Sequence, residues 1–283
     1  SNSENSGTFF SETNYTRQDL TIEETNDSDY NNKNIFFNLG SEYYFDDNTS
    51  LTISGFYKKG DESSFLTNIV NDISRGSISS TNNRLRDETE MDESFEYALD
   101  FYKDYDRDGQ TLSARISYEE SEDDGLEDIE DFATFPLISE SIFEKVSNLD
   151  SQKRLLGQID FIYPIDKETE FEFGYRGSFL ERETDYDVSF LTGNSFVSDP
   201  GLSNVFNYKE SVNSLYTQFG KKFDKLSALF GLRYENSRQE IEQRTTNQFE
   251  IKKYSDLFPT LNLAYEFSSQ ESLTFGYSKR IRR

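Results

Sequence analysis

The chain has 283 residues, 54 of them acidic and 29 basic, with a formal net charge of −25 and neither cysteine nor histidine. A disulfide scaffold, Cys/His zinc sites and His-based triads are excluded, and the charge argues against nucleic acid as a partner, since phosphate binding needs a basic footprint. Aromatic residues make up 16% of the chain, which fits badly with a disordered acidic polypeptide.

No window of about 18 apolar residues occurs, so the sequence contains no transmembrane helix. It opens on Ser1-Asn2 without an initiator Met or a signal-peptide pattern, which suggests a chain beginning inside a longer one.

In chain order, the pattern predicts about ten or eleven strands near 8–22, 34–45, 51–60, 93–103, 111–120, 152–163, 170–182, 210–222, 226–238, 251–267 and 272–280. The basis is strict alternation of apolar and polar residues. Phe95, Tyr97, Leu99 and Phe101 alternate with Glu96, Ala98, Asp100 and Tyr102. Leu112, Ala114, Ile116 and Tyr118 alternate with Thr111, Ser113, Arg115 and Ser117. Phe171, Phe173, Tyr175 and Phe179 oppose Glu170, Glu172, Arg176 and Ser178, and Leu226 to Tyr234 and Leu257 to Phe267 repeat the pattern.

Connections alternate in length. Short turns fall at 46–50, 104–110, 164–169, 223–225 and 268–271, the first four roughly 60 residues apart. Long polar segments at 61–92, 120–151, 183–209 and 238–250 are expected to be loops. Several strands exceed the usual length in soluble sheets and match a tilted strand crossing a bilayer. Tyr43, Phe45, Phe101, Tyr163, Phe171, Phe223 and Phe267 sit beside the short turns, where a membrane barrel carries an aromatic girdle. The expected fold is therefore all-β: an antiparallel up-and-down meander forming part of a transmembrane β-barrel, with short periplasmic turns and long extracellular loops. The competing architecture is a soluble sandwich, in which alternation looks similar; its function would be that of a soluble β-rich binding or adhesion module at the cell surface.

Motifs with chemical content are few. Asp104-Tyr105-Asp106-Arg107-Asp108-Gly109-Gln110-Thr111 resembles the start of a calcium loop, so Asp104, Asp106 and Asp108 are the weak metal-ligand candidates. An EF-hand needs a bidentate acid at loop position 12, which here is Arg115, and helices on both sides. Both flanks are strands, so the segment reads as a hairpin turn. The acidic run from Ser121 to Phe132 is a candidate for divalent-cation bridging. Glu170, Glu172 and Asp160 invite a glycosidase reading, but lumen-facing polar residues explain them more simply. Tyr118, Tyr186 and Tyr208 are candidates for stacking on a ligand. Nothing calls for a cofactor or for enzymatic activity.

Residues 216–237 and 254–283 carry a resemblance. Gly231 to Glu235 ("GLRYE"), Leu257 to Tyr265 ("LFPTLNLAY") and Tyr277 to Ile281 ("YSKRI") follow the order seen in Bacteroidetes-type outer-membrane TonB-dependent receptors, in the outer membrane protein beta-barrel family. The resemblance implies an outer-membrane receptor that takes up a scarce nutrient with energy from the TonB complex, in contact with outer-membrane lipid. Such barrels have about 22 strands around a plug. This chain has about half that number, and no recognisable plug, TonB box or aromatic C-terminal strand. It is therefore expected to be a single partial barrel domain spanning 1–283, truncated at both ends.

Overall fold

The computed structural model describes residues 2–268 and 270–280, which lie in strands and their connections except for 279–280 after the last strand. Twelve antiparallel strands form one sheet: β1 (Asn2–Tyr15), β2 (Leu20–Asp46), β3 (Thr49–Ser74), β4 (Ser77–Asp104), β5 (Thr111–Phe135), β6 (Ile142–Asp166), β7 (Thr169–Thr192), β8 (Ser195–Ser198), β9 (Asn204–Phe223), β10 (Leu226–Gln243), β11 (Gln248–Ser268) and β12 (Glu271–Ser278). Each pairs with its sequence neighbour, except that β8 is a short flap on β7 and β9 takes the next place. Among the described residues the sheet is open, with β1 and β12 at its edges. This is the up-and-down meander the alternation predicts, and among the described residues no second sheet packs on it.

Period-two alternation puts each strand's apolar residues on one face, and the register aligns them across the sheet. Tyr43, Leu51, Phe101, Ala114, Ile159, Tyr175, Leu215, Tyr234 and Leu257 are partners in one row through nine strands. The adjacent row on the other face is polar throughout: Glu42, Thr52, Asp100, Arg115, Gln158, Arg176, Ser214, Glu235 and Asp256. The apolar face is bare, with Tyr97 58%, Ile116 56% and Phe173 50% exposed. The buried apolar residues Ala98, Ile129, Val146, Val188 and Val212 instead lie on the polar face, which is therefore the concave one.

The sequence reading needs three corrections. The segments 61–92, 120–151, 183–209 and 238–250 are largely strand, not long loops. β3 and β4 run on to a turn at Arg75-Gly76, β10 and β11 to a turn at 244–247, and within these segments only 136–141 and 193–203 are longer connections, the latter containing β8. The apolar residues of these extensions are split between the two faces, as Leu66, Val70, Ile129, Val146 and Val188 on the concave one and Phe65 and Ile69 on the other, so no single apolar period reveals them. At a rise of about 3.4 Å per residue, a strand of 26 residues such as β3 reaches roughly 90 Å, far beyond the bilayer core of about 30 Å. Second, the expected strand 8–22 contains a turn at 16–19, where Asp19 takes φ 49°. No glycine or proline marks it. Third, the described residues hold twelve strands, β8 being the short one beyond the expected ten or eleven. Ser269, in the last short turn, and Ile281, in the third motif, lie outside the described residues.

Candidate functional site

At the level of the apolar band, the concave face is a continuous hydrogen-bonded wall. Arg115 reaches Asp100 (3.2 Å) and Glu96 (3.4 Å). Gln218 donates to Glu172 at 3.1 Å, and Arg233 donates to Ser214 (2.8 Å) and Glu235 (2.6 Å). The Tyr216 hydroxyl donates to Asp160, two strands away, across Gly174. A side chain at Gly174 would run into the Tyr216 ring. Glu170, Glu172 and Asp160 belong to this wall. Below them, toward the short turns, an open groove of about 940 Å³ includes Glu170, Gly220, Leu229, Asn262 and Gly276 in its lining.

Farther from the short turns, the same face becomes acidic across β3 to β6. Asp92, Asp123 and Asp150 are consecutive partners on three strands, Glu62 faces Glu90, and Glu88 faces Glu127. Lys58 pairs with Asp92 at 2.6 Å, Arg182 with Asp150, and Arg86 lies 3.5 Å from Glu88 and 3.6 Å from Glu127. Partial burial, and then the neighbouring carboxylates, hold Glu90 and Asp123 above the ordinary carboxyl range. The run from Ser121 to Phe132 is thus strand β5 rather than a loop, and only alternate acids face this cluster.

Asp104, Asp106 and Asp108 are exposed at the β4–β5 turn. The turn is closed by Tyr105 N–H to Gln110 O (2.9 Å) and Gln110 N–H to Arg107 O (2.9 Å), with Gly109 at φ 78°. Among the described residues, no group of three acids is arranged to hold a metal ion. The tyrosine candidates separate: Tyr186 and Tyr208 lie on the concave face, whereas Tyr118 is on the apolar face opposite Leu155. The sequence offered no signal for the Asp92–Asp123–Asp150 row, because cross-strand partnership depends on register.

The sequence model of the outer membrane protein beta-barrel family matches residues 103–283. The chain belongs to that family. The apolar face is accordingly its lipid face, the polar face its lumenal wall, and its place is the outer membrane. A comparison with curated proteins gave no match. Among solved structures, the chain is similar to the siderophore receptor PiuA from Acinetobacter baumannii (9% identity, TM-score 0.44, covering 96% of this chain and 47% of that one). It is also similar to the ferric-catecholate import receptor Fiu from E. coli K12 (9%, 0.47, 97% and 54%). A third likeness is to the translocator domain of the autotransporter NalP from Neisseria meningitidis (11%, 0.30, 99% and 81%). The chain spans about half the length of the two receptors.

Proposed function

We propose that this family member is the barrel portion of a TonB-dependent receptor for nutrient uptake, non-enzymatic, and that residues 1–283 form one partial barrel domain. The observation that carries the barrel reading is the paired rows described above: nine uncharged residues in register on one face and nine polar ones behind them. Only lipid or a partner sheet covers such an apolar face, and a closed barrel is the β-structure that satisfies its backbone in lipid. A soluble adhesion module would have to bury that face. The receptor reading comes from the "GLRYE", "LFPTLNLAY" and "YSKRI" order. In that reading the ligand is a small nutrient caught by the outer extensions and a plug, and the TonB complex acts through the plug.

Two measurements test this. A chain that is monomeric and cooperatively folded without detergent or lipid overturns the barrel reading. In the source cells, deletion of the gene and loss of TonB function are expected to produce the same growth defect on one scarce nutrient. No shared defect on any nutrient overturns the receptor reading.

A further inference from the structure

The apolar band has two boundaries, and their charges are organised differently. On the far side from the short turns, Arg238 and Lys253 are partners on the lipid face, and the next row out is Glu120, Lys153, Glu181, Lys209 and Glu240, consecutive partners of alternating sign through five strands. Both lysines of that row, and Arg238, are paired within the protein. Lys153 lies 3.0 Å from Glu120 and Lys209 lies 3.1 Å from Glu181, while Arg238 meets Glu240 at 2.8 Å.

At the short-turn boundary Lys103, Arg107 and Lys221 make no contact ion pair among the described residues. Lys103 and Lys221 project from the lipid face, the same face as Phe101 and as Phe219 and Phe223. Arg107 crosses from the β4–β5 turn and donates to the Ile165 carbonyl at 2.6 Å. Each cation lies over an aromatic ring: Lys103 over Tyr105 (5.3 Å), Arg107 over Tyr163 (4.6 Å) and Lys221 over Phe223 (5.0 Å). None of the three makes an ion pair among the described residues. Asp46 and Asp166 attract Lys103 and Lys221 only beyond ion-pair distance, since their carboxylates accept backbone N–H groups of their own turns, both at 2.8 Å, and Asp104 shares the concave face with Asp100.

The geometry points to a binding surface for the phosphate headgroups of anionic glycerophospholipid, formed by Lys103, Arg107 and Lys221 on the short-turn rim. The inference rests on the apolar face being embedded in lipid. Aromatic rings sit at the headgroup boundary of a bilayer, and a cation held over such a ring stands where lipid phosphate is. An acidic chain has many carboxylates with which to neutralise its cations, as the pairs of Lys153, Lys209 and Arg238 do; at the rim no carboxylate among the described residues is in contact, and the lipid phosphate takes that place. Attraction of this kind is worth roughly fivefold in affinity per cation near an anionic surface and is screened by salt.

The test is refolding of the full chain into vesicles of phosphatidylcholine alone, or with one part in three phosphatidylglycerol, followed by urea unfolding at low and high salt. The expected result is a higher urea midpoint in the phosphatidylglycerol vesicles, lost at high salt. That difference should disappear in the K103Q/R107Q/K221Q variant and persist in K103R/K221R. It should also persist in K153Q/K209Q, whose lysines are neutralised in the ladder. A wild-type midpoint indifferent to phosphatidylglycerol, or a triple variant that keeps the difference, overturns the headgroup surface while leaving the embedded band intact. Failure of the wild-type chain to insert into either vesicle overturns both.

Discussion

Gly174 shows how a single residue sets the local form of the lumenal wall. Tyr216 lies across it to reach Asp160, so three strands, β6, β7 and β9, are joined by one side chain lying flat on the sheet. A methyl group there meets the ring itself, and the ring is held at its far end by the hydroxyl. Gly174→Ala is therefore expected to lower unfolding stability by about 1–3 kcal/mol, the usual cost of overpacking, in urea titrations of the lipid-embedded chain. Gly157 is the control. It sits on the neighbouring strand β6 with nothing within 4 Å of an added Cβ, so Gly157→Ala should leave the midpoint nearly unchanged. Equal losses at the two sites would show that the Tyr216 contact is not what matters. None of this was legible in the sequence, where Gly174 and Tyr216 are separated by 42 residues and the Gly174-to-Tyr216 partnership appears only with the register.

At the scale of the strand, legibility follows the contrast between the two faces. Phe95 to Phe101, Leu112 to Tyr118 and Phe171 to Phe179 were readable because lipid and water lie on opposite sides of the same backbone. The extensions were not, because segments such as Thr81 to Glu93 are polar on nearly every position and alternate between water and water. The contrast can be tested with adjacent residues of β6. Ile159 belongs to the apolar row and Gln158 to the polar one. Ile159→Lys is expected to cost about 2–4 kcal/mol in a bilayer, and Gln158→Lys far less. Comparable losses would mean that the two faces have been assigned wrongly. The acidic extension supplies a second test. Glu90 and Asp123 have carboxyl groups held above the ordinary range by burial and by neighbouring acids. Their contribution is fully present below the unfolded carboxyl range of about 4 and is lost as pH rises through their higher folded values. Asp123→Asn should therefore raise the urea midpoint at neutral pH and flatten its fall as pH rises above about 4. A variant that retains the wild-type pH profile would locate the repulsion elsewhere.

Across the whole molecule, the turns divide into two sets that a membrane must separate. One set contains Arg17, Arg75 and Arg244 in the turns joining β1 to β2, β3 to β4 and β10 to β11. The other contains Arg107, Lys167 and Lys225 in the turns joining β4 to β5, β6 to β7 and β9 to β10. The apolar band lies close to the second set, so the first stands at the end of tall polar extensions. Trypsin requires an accessible basic residue on a segment able to leave its strand partners, and turns meet that need before paired strands do. For the chain inserted in one orientation into sealed vesicles, externally added trypsin is expected to cleave one set and spare the other. Opening the vesicles with detergent should then expose the spared set. Mass spectrometry of the released peptides reads both outcomes. Cleavage of both sets in sealed vesicles, with lumenal cargo still protected, would show that the strands lie on the bilayer rather than across it. The lipid-facing row from Tyr43 to Leu257 would then need another cover.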